Sequence, residues 1–272
     1  VGFTGSLAGG KALFDFCAAR EEPIPFFGEL GSVNPMFLLP QAIANRGGDI
    51  ASGWVGSLTM GAGQFCTNPG IAIVIDGADA ANFINDVTTL LSKVESQMML
   101  TDGISKAYRA GCERMSSFNA VGQLKNASEI SRTALPQLFV TTGKTWLANF
   151  ELSEEVFGPS GLVVKVADFN EMMEIATKLT GQLTCTLHMD DADQHEAQKL
   201  LPILERKAGR IIANGFPTGV EVCESMVHGG PFPASTNFGA TSVGTLSIRR
   251  FLRPVCYQNM PTMMLPTDLV SH

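Results

Sequence analysis

The residue types with chemical reach gather in four short stretches. Gly61-Ala62-Gly63-Gln64-Phe65-Cys66-Thr67 sets a thiol just after a glycine-rich turn, where backbone amides can favour a thiolate and hence a nucleophile. Alone, a cysteine there reads first as a small buried hydrophobe. Glu29 ends an apolar run between Gly28 and Leu30-Gly31, so partial desolvation is expected to raise its carboxyl pKa and suit it to general-base work; the alternative is a solvated strand-end acid. Gly2-Phe3-Thr4-Gly5-Ser6 precedes a helical pattern and offers backbone N–H groups and a helix dipole to an anion. No full GxGxxG is present, and a tight turn with Ser6 as N-cap explains the stretch too. Glu154-Glu155-Val156-Phe157-Gly158-Pro159 puts two acids before an aromatic and a Gly-Pro turn, which by itself reads as a helix start and a loop. His188 and His195 flank Asp190, Asp191 and Asp193, but Asp190 onward reads as a helix N-terminus; with no metal-ligand spacing, no metal site is expected.

These residues need a scaffold, and the patterning supplies an α/β one. Residues 6–20 carry helically spaced apolar positions stopped by Pro23 and Pro25. Two short runs, 25–30 and 35–39, read as buried strands around a Gly31-Ser32 turn. A helix is expected over 41–60, a strand over 71–75, and helices over 79–100 and 102–117, each with an acidic start. Strands over 137–141, 161–166, 182–188 and 209–213 alternate with helices over 170–179 and 190–208, which argues for a parallel sheet. Beyond Asn214 the chain turns Gly/Pro/Ser-rich, then ends in an extended-looking stretch over 247–259. No internal repeat is found.

Composition narrows the function classes. With 272 residues, 45% hydrophobic and 17% charged, the chain can bury a large core and is not a disordered segment. A net charge of −7 offers no electrostatic footprint for nucleic acid or anionic lipid. Its longest apolar runs fall well short of the roughly 18–20 residues that span a bilayer, so a soluble protein is expected. Six cysteines without CxxC pairing, and no signal peptide, point to reduced thiols and a cytoplasmic setting. The opening VGFTGS has neither an initiator Met nor a basic region and reads as a strand running into a turn, so a fragment is expected.

Taken in order, FTGS, FGELGSVNP, GQFCT, EEVFGP and NGFPTG…HGGPFPAS resemble the NAD(P)-dependent aldehyde dehydrogenase superfamily. The ordering over most of the chain is what makes the resemblance specific. Within it, ELGSVNP replaces the usual ELGGK-like sequence, with Ser32 and Val33 in place of Gly and Lys. That variant, FPTGVEVCESMVHGGPFPAST and RRFLRPVCYQNMP look most similar to the α-ketoglutaric semialdehyde (2,5-dioxovalerate) dehydrogenase branch, with a long-chain aliphatic aldehyde branch as the alternative.

The resemblance implies roles residue by residue. Cys66 would be the nucleophile and Glu29 the base that activates water; Gly5, Ser6, Leu30, Glu155 and Phe157 would lie at the cofactor, NADP or NAD. Thiolate addition would give a thiohemiacetal, hydride would leave to the nicotinamide, and water would hydrolyse the thioester, with the Cys66 backbone N–H as one oxyanion donor. It also implies the end of a cofactor domain over 1–31, a catalytic domain over 32–243 and an oligomerisation arm over 244–272. A homodimer or homotetramer follows, with a small aldehyde substrate and neither nucleic acid nor membrane as partner. The family's adenosine-binding strands and oxyanion Asn would lie upstream, which leaves a noncatalytic piece as the competing reading. The dioxovalerate carboxylate calls for a cation, and Arg20, Arg249, Arg250 and Arg253 are not placed at the pocket by any motif.

Overall fold

The computed structural model describes residues 1–118, 122–123 and 132–270. It opens with a strand, β1 (Gly2–Thr4), a helix, α1 (Leu7–Ala18), and a second strand, β2 (Phe27–Glu29). The two strands pair in parallel, Thr4 opposite Glu29, as a small sheet of their own. Ser6 caps α1, its hydroxyl accepting from the Gly9 N–H. The Gly5 N–H donates to the Glu29 carbonyl at 3.0 Å, so the FTGS turn and the glutamate are fixed to each other by backbone.

A larger sheet follows. Its strands are β3 (Met36–Leu38), β4 (Ile71–Ile75), β8 (Gln137–Thr142), β9 (Ser160–Val166), β10 (Gln182–His188) and β11 (Ala208–Ala213). In the sheet they run β11-β10-β3-β4-β9-β8, all parallel, and a short antiparallel strand, β6 (Gly122–Gln123), edges β8. The connecting helices are α2 (Pro40–Thr59), α3 (Ala78–Leu91), α4 (Asp102–Ser117), α5 (Gly143–Ala148), α6 (Phe169–Lys178) and α7 (Gln194–Leu204). This is the expected α/β architecture. Strands buried on both faces explain the near-continuous apolar runs.

Strand periodicity splits the core in two. Met36, Leu38, Ala72 and Val74 face α2 and α3, where Trp54 stacks on Phe83 with ring centres 5.7 Å apart. Phe37, Leu39, Ile71 and Ile73 face the other way, among residues of α4, α6 and α7 such as Met115, Ile175 and Leu200. Trp54 also donates its indole N–H to the Pro69 carbonyl at 2.7 Å, tying α2 to the segment after Cys66.

Several expectations are corrected. The helix expected over 79–100 ends at Leu91: the chain turns there, and Gln97–Met98 (β5) pairs antiparallel with Thr133–Ala134 (β7). The helix expected over 190–208 is split, because Asp190 and Asp193 cap one another around a single tight turn before α7 begins. Residues 247–259 are not extended throughout, since Thr245–Phe251 winds into a 3₁₀ segment. The short helix α5 and the two-residue strands have no readable period and were not anticipated. Among the described residues, no helix is long and apolar enough to cross a membrane.

Trp54→Ala removes the largest side chain of the α2 face together with its hydrogen bond. It is expected to lower the unfolding free energy by about 3–5 kcal/mol in a urea titration followed by circular dichroism.

Candidate active site

The cysteine loop leaves α2 through a tight turn, Met60–Gly63, with Gly61, Ala62 and Gly63 all at positive φ. Gly63 is required there: a Cβ would lie 2.3 Å from the backbone of Gly158, so the loop packs directly on the Gly158-Pro159 turn. Ala62 tolerates φ 57° because Gln97 Oε1 accepts its N–H at 2.7 Å. Beyond the turn two asparagines fix the chain. Asn68 donates its side-chain amide to the carbonyls of Leu58 (3.0 Å) and Gly63 (2.8 Å). Asn34, fully buried, donates to the carbonyls of Cys66 and Asn68, each at 2.9 Å.

Asn34 is itself held at φ 46°, a conformation Asn tolerates better than most residues. Gln182 Oε1 accepts the N–H groups of Val33 (2.8 Å) and Asn34 (3.0 Å), and the Ser32 hydroxyl lies 2.8 Å from Asn34 Oδ1 and 2.9 Å from Gln182 Oε1. Thr184 donates its hydroxyl to Asn34 Oδ1 at 3.1 Å. The Ser-Val-Asn sequence after Leu30-Gly31 therefore has a physical account: it builds a buried polar hub between β10 and the cysteine loop.

Three reactive side chains meet in front of this hub. Cys66 Sγ is 3.2 Å from His228 Nε2, and that nitrogen is 3.4 Å from Glu29 Oε1. The candidate donor atoms of the three residues all lie within 4.8 Å of one another. Glu29 and His228 are 7% and 2% exposed, and Cys66 is half-buried. Ser242 donates its hydroxyl to Glu29 Oε2 at 2.5 Å, its N–H donates to the His228 carbonyl, and Thr241 Oγ1 accepts the His228 N–H.

The electrostatics differ from the sequence reading on both counts. Burial opposes ionisation of Glu29, but hydrogen bonds from His228 and Ser242 outweigh it and hold the carboxyl below its ordinary value rather than above it. Cys66 is not poised as a thiolate: burial first, then the charge of Glu29, pushes its thiol up to about 12, against the pull of its own backbone amide and that of Thr67. The resting pair is a protonated thiol beside an ionised carboxylate, with His228 Nε2 in contact with the sulfur at 3.2 Å. A thiol held that way becomes a nucleophile by handing its proton to Glu29 as it attacks.

Beside the cluster a cleft of about 690 Å³ is lined by Ser6, Leu30, Ser32, Glu155 and Gln182, with Lys11 at one side. Glu155 is exposed as a residue, yet its carboxyl is tucked over Gly31, where a Cβ would come within 3.0 Å of Oε2. Desolvation raises that carboxyl to about 7, against a hydrogen bond from the Ser32 amide and helped by the charge of Glu29. Phe157 lines a narrow cavity with Ser32, Val33 and Gly63, between the cleft and the cysteine loop. Gly5 does not line the cleft; its N–H is committed to the Glu29 carbonyl.

The structure thus brings Glu29 to Cys66, and Ser6, Leu30 and Glu155 to one cleft. His228 and Ser242 were missed by sequence reasoning. The HGGPFPAS stretch that begins at His228 had been singled out only as a motif, and nothing in spacing ties residue 228 to a cysteine 162 positions earlier. Arg210 was missed as well. It stands opposite Thr184 in the β10–β11 register, its charge is felt at Cys66, and its Nε is buried without a hydrogen-bond partner.

No protein-family model matches the chain. It is 49% identical over 272 residues to alpha-ketoglutaric semialdehyde dehydrogenase 2 of Azospirillum brasilense, covering 99% of this chain and 52% of that protein. It is 45% identical over 273 residues to alpha-ketoglutaric semialdehyde dehydrogenase of Acinetobacter baylyi, again covering 99% of this chain and 52% of that protein. The chain therefore spans about half the length of the curated relatives it matches. Among solved structures, 1-pyrroline-5-carboxylate dehydrogenase from Thermus with bound NAD superposes with a TM-score of 0.73 at 20% identity, covering 93% of this chain and 49% of that one, which shows a shared fold.

Two outcomes follow from the geometry. Glu29→Gln removes the charge that helps keep the thiol protonated, so the midpoint of Cys66 alkylation by iodoacetamide should move down from about 12; an unchanged midpoint would contradict the coupling. Asn34→Ala leaves the Cys66 and Asn68 carbonyls without their donor and should lower the unfolding free energy by about 2–4 kcal/mol in urea.

Proposed function

We propose, for a chain homologous along its whole length to part of the α-ketoglutaric semialdehyde dehydrogenases, that it carries the thiol, the base and the nicotinamide-side contacts of an NAD(P)-dependent aldehyde dehydrogenase. The whole protein oxidises 2,5-dioxovalerate to 2-oxoglutarate. The observation that carries this reading is the convergence of Glu29, Cys66 and His228 next to a cleft lined by Ser6, Leu30 and Glu155.

The cleft fits a dinucleotide on its own terms. The N-terminus of α1 opens onto it behind the Gly5-Ser6 turn and suits a pyrophosphate. Gly31 leaves open the backbone beside the Glu155 carboxylate, which can accept from ribose hydroxyls, Leu30 supplies an apolar wall, and Phe157 lines the narrow cavity beyond it. The chemistry that NAD or NADP would supply there is a hydride acceptor for the aldehyde carbon. Cys66 Sγ adds to the aldehyde carbon while its proton passes to Glu29, whose carboxylate lies in the same cluster. The Cys66 N–H lies at the sulfur and is one donor for the developing oxyanion. His228, 3.2 Å from the sulfur and 3.4 Å from the carboxylate, positions both. Once the acyl group is on sulfur, Glu29 gives up the thiol's proton to solvent, takes a proton from the attacking water and returns it to the departing Cys66 sulfur as 2-oxoglutarate leaves.

Arg210 is the group we assign to the substrate carboxylate: its terminal nitrogens donate to the Gly219 and Pro217 carbonyls, its Nε is left without a partner, and its charge interacts with Cys66. Residues 1–31 end the cofactor domain and 32–243 form the catalytic domain. Residues 244–272, with Phe251 57% and Met263 91% exposed, form an arm that joins subunits into a homodimer or homotetramer. Six free cysteines suit a reducing, cytoplasmic setting.

Cys66→Ala in the whole protein should abolish NAD(P)-dependent oxidation of 2,5-dioxovalerate; undiminished turnover would sink the reading. Arg210→Met should raise KM for 2,5-dioxovalerate by roughly tenfold or more while sparing an uncharged aldehyde of similar length, as loss of one charge-assisted contact requires.

A further inference from the structure

We propose that Glu29, Cys66 and His228 form a site for a thiophilic divalent cation, Zn²⁺ foremost, and that its occupancy blocks the nucleophile reversibly. A thiolate sulfur, an imidazole nitrogen and a carboxylate oxygen are the donor set zinc favours. Their spacing fits as well. Bonds of about 2.3 Å to sulfur and about 2.0 Å to nitrogen and oxygen at tetrahedral angles put sulfur and nitrogen about 3.5 Å apart, and nitrogen and oxygen about 3.3 Å apart. The structure has 3.2 Å and 3.4 Å. The third edge, sulfur to carboxylate oxygen, lies within 4.8 Å and would draw in towards about 3.5 Å as the shell closes.

The surroundings resemble those of a built site. Ser242 holds the second oxygen of Glu29, and the backbone of His228 is pinned through Thr241 and Ser242, so two of the three ligands are oriented by their neighbours. Both are more than nine-tenths buried, whereas the half-buried Cys66 leaves one side of the cluster reachable. Three protein ligands leave a fourth position for water. On binding, the Cys66 S–H bond breaks, a zinc–sulfur bond forms and one proton leaves to buffer; no electron is transferred. A sulfur lone pair committed to the metal cannot attack a carbonyl, so the metal competes with the proposed chemistry.

Metal binding by the three side chains stands apart from the dehydrogenase reading; only the inhibition depends on it. The test uses Co²⁺ and Zn²⁺ alone on the chain with Cys223→Ser and Cys256→Ser, which remove the two most accessible other thiols. One Co²⁺ per chain with a thiolate-to-cobalt charge-transfer band is expected, lost in Cys66→Ser and weakened about tenfold or more in His228→Gln. Zn²⁺ should slow iodoacetamide alkylation of Cys66 by about tenfold or more, with the rate restored by EDTA. Cobalt bound without that band, or alkylation unaffected by saturating Zn²⁺, would overturn the proposal. The alkylation arm needs no substituted ligand and decides the matter even if a variant misfolds. Metal protection in a protein that oxidises no aldehyde would uphold this site and remove the dehydrogenase reading instead.

Discussion

Everything reactive in this chain depends on the Asn34 side-chain amide, whose two N–H groups hold the carbonyls of Cys66 and Asn68. The cysteine loop is irregular backbone, and irregular backbone brought inside a protein needs partners for its polar groups. Asn34 and Asn68 supply them from opposite sides, and Gln182, Ser32 and Thr184 fix Asn34 in turn. Each member is buried, so removing one leaves another unpaired. The hub also spans the two sheets: Ser32-Val33-Asn34 follows β2, and Gln182 begins β10. The hub thereby fixes the cysteine loop to the segment that follows Glu29.

The electrostatic design is that of a guarded thiol. Cys66 is kept protonated by burial and by the carboxylate beside it, while Glu29 is kept ionised by His228 and Ser242. A free thiolate would react with passing electrophiles and oxidants; a thiol whose proton acceptor is already in contact ionises as it attacks. The same closeness of sulfur, imidazole and carboxylate that permits this also makes the cluster attractive to a soft cation. Glu155, raised to about 7, adds a second carboxyl whose charge is sensitive near neutrality, on the cleft side of Gly31.

Much of the fold was legible in the sequence because its strands are buried on both faces and its helices are long. The strands at residues 71–75 and 182–188 and the helix at 102–117 were read to the residue. Misreadings came where tertiary contacts overrule local pattern: Gln97 leaves a helical run to accept the Ala62 N–H and join a two-stranded ribbon. At the site, Cys66 and Glu29 announced themselves by glycine-flanked chemistry and motif order. His228, Ser242 and Arg210 did not, since only the fold carries them to a cysteine far away in sequence. The direction of the Glu29 shift was also illegible, because it is set by two hydrogen-bond donors more than 190 residues downstream.

The central claim is that Cys66 bears the acyl group and Glu29 admits the water that releases it. Mass spectrometry of the Glu29→Gln whole protein, mixed with NAD(P) and 2,5-dioxovalerate above the lowered alkylation midpoint of its Cys66, where the thiolate needs no proton acceptor, and then digested, tests it most directly. The account predicts that the peptide containing Cys66 gains the mass of the substrate's acyl group, with the other five cysteines unmodified. An acyl group on another residue, or an unmodified Cys66 in a variant that still reduces one equivalent of cofactor, would contradict it.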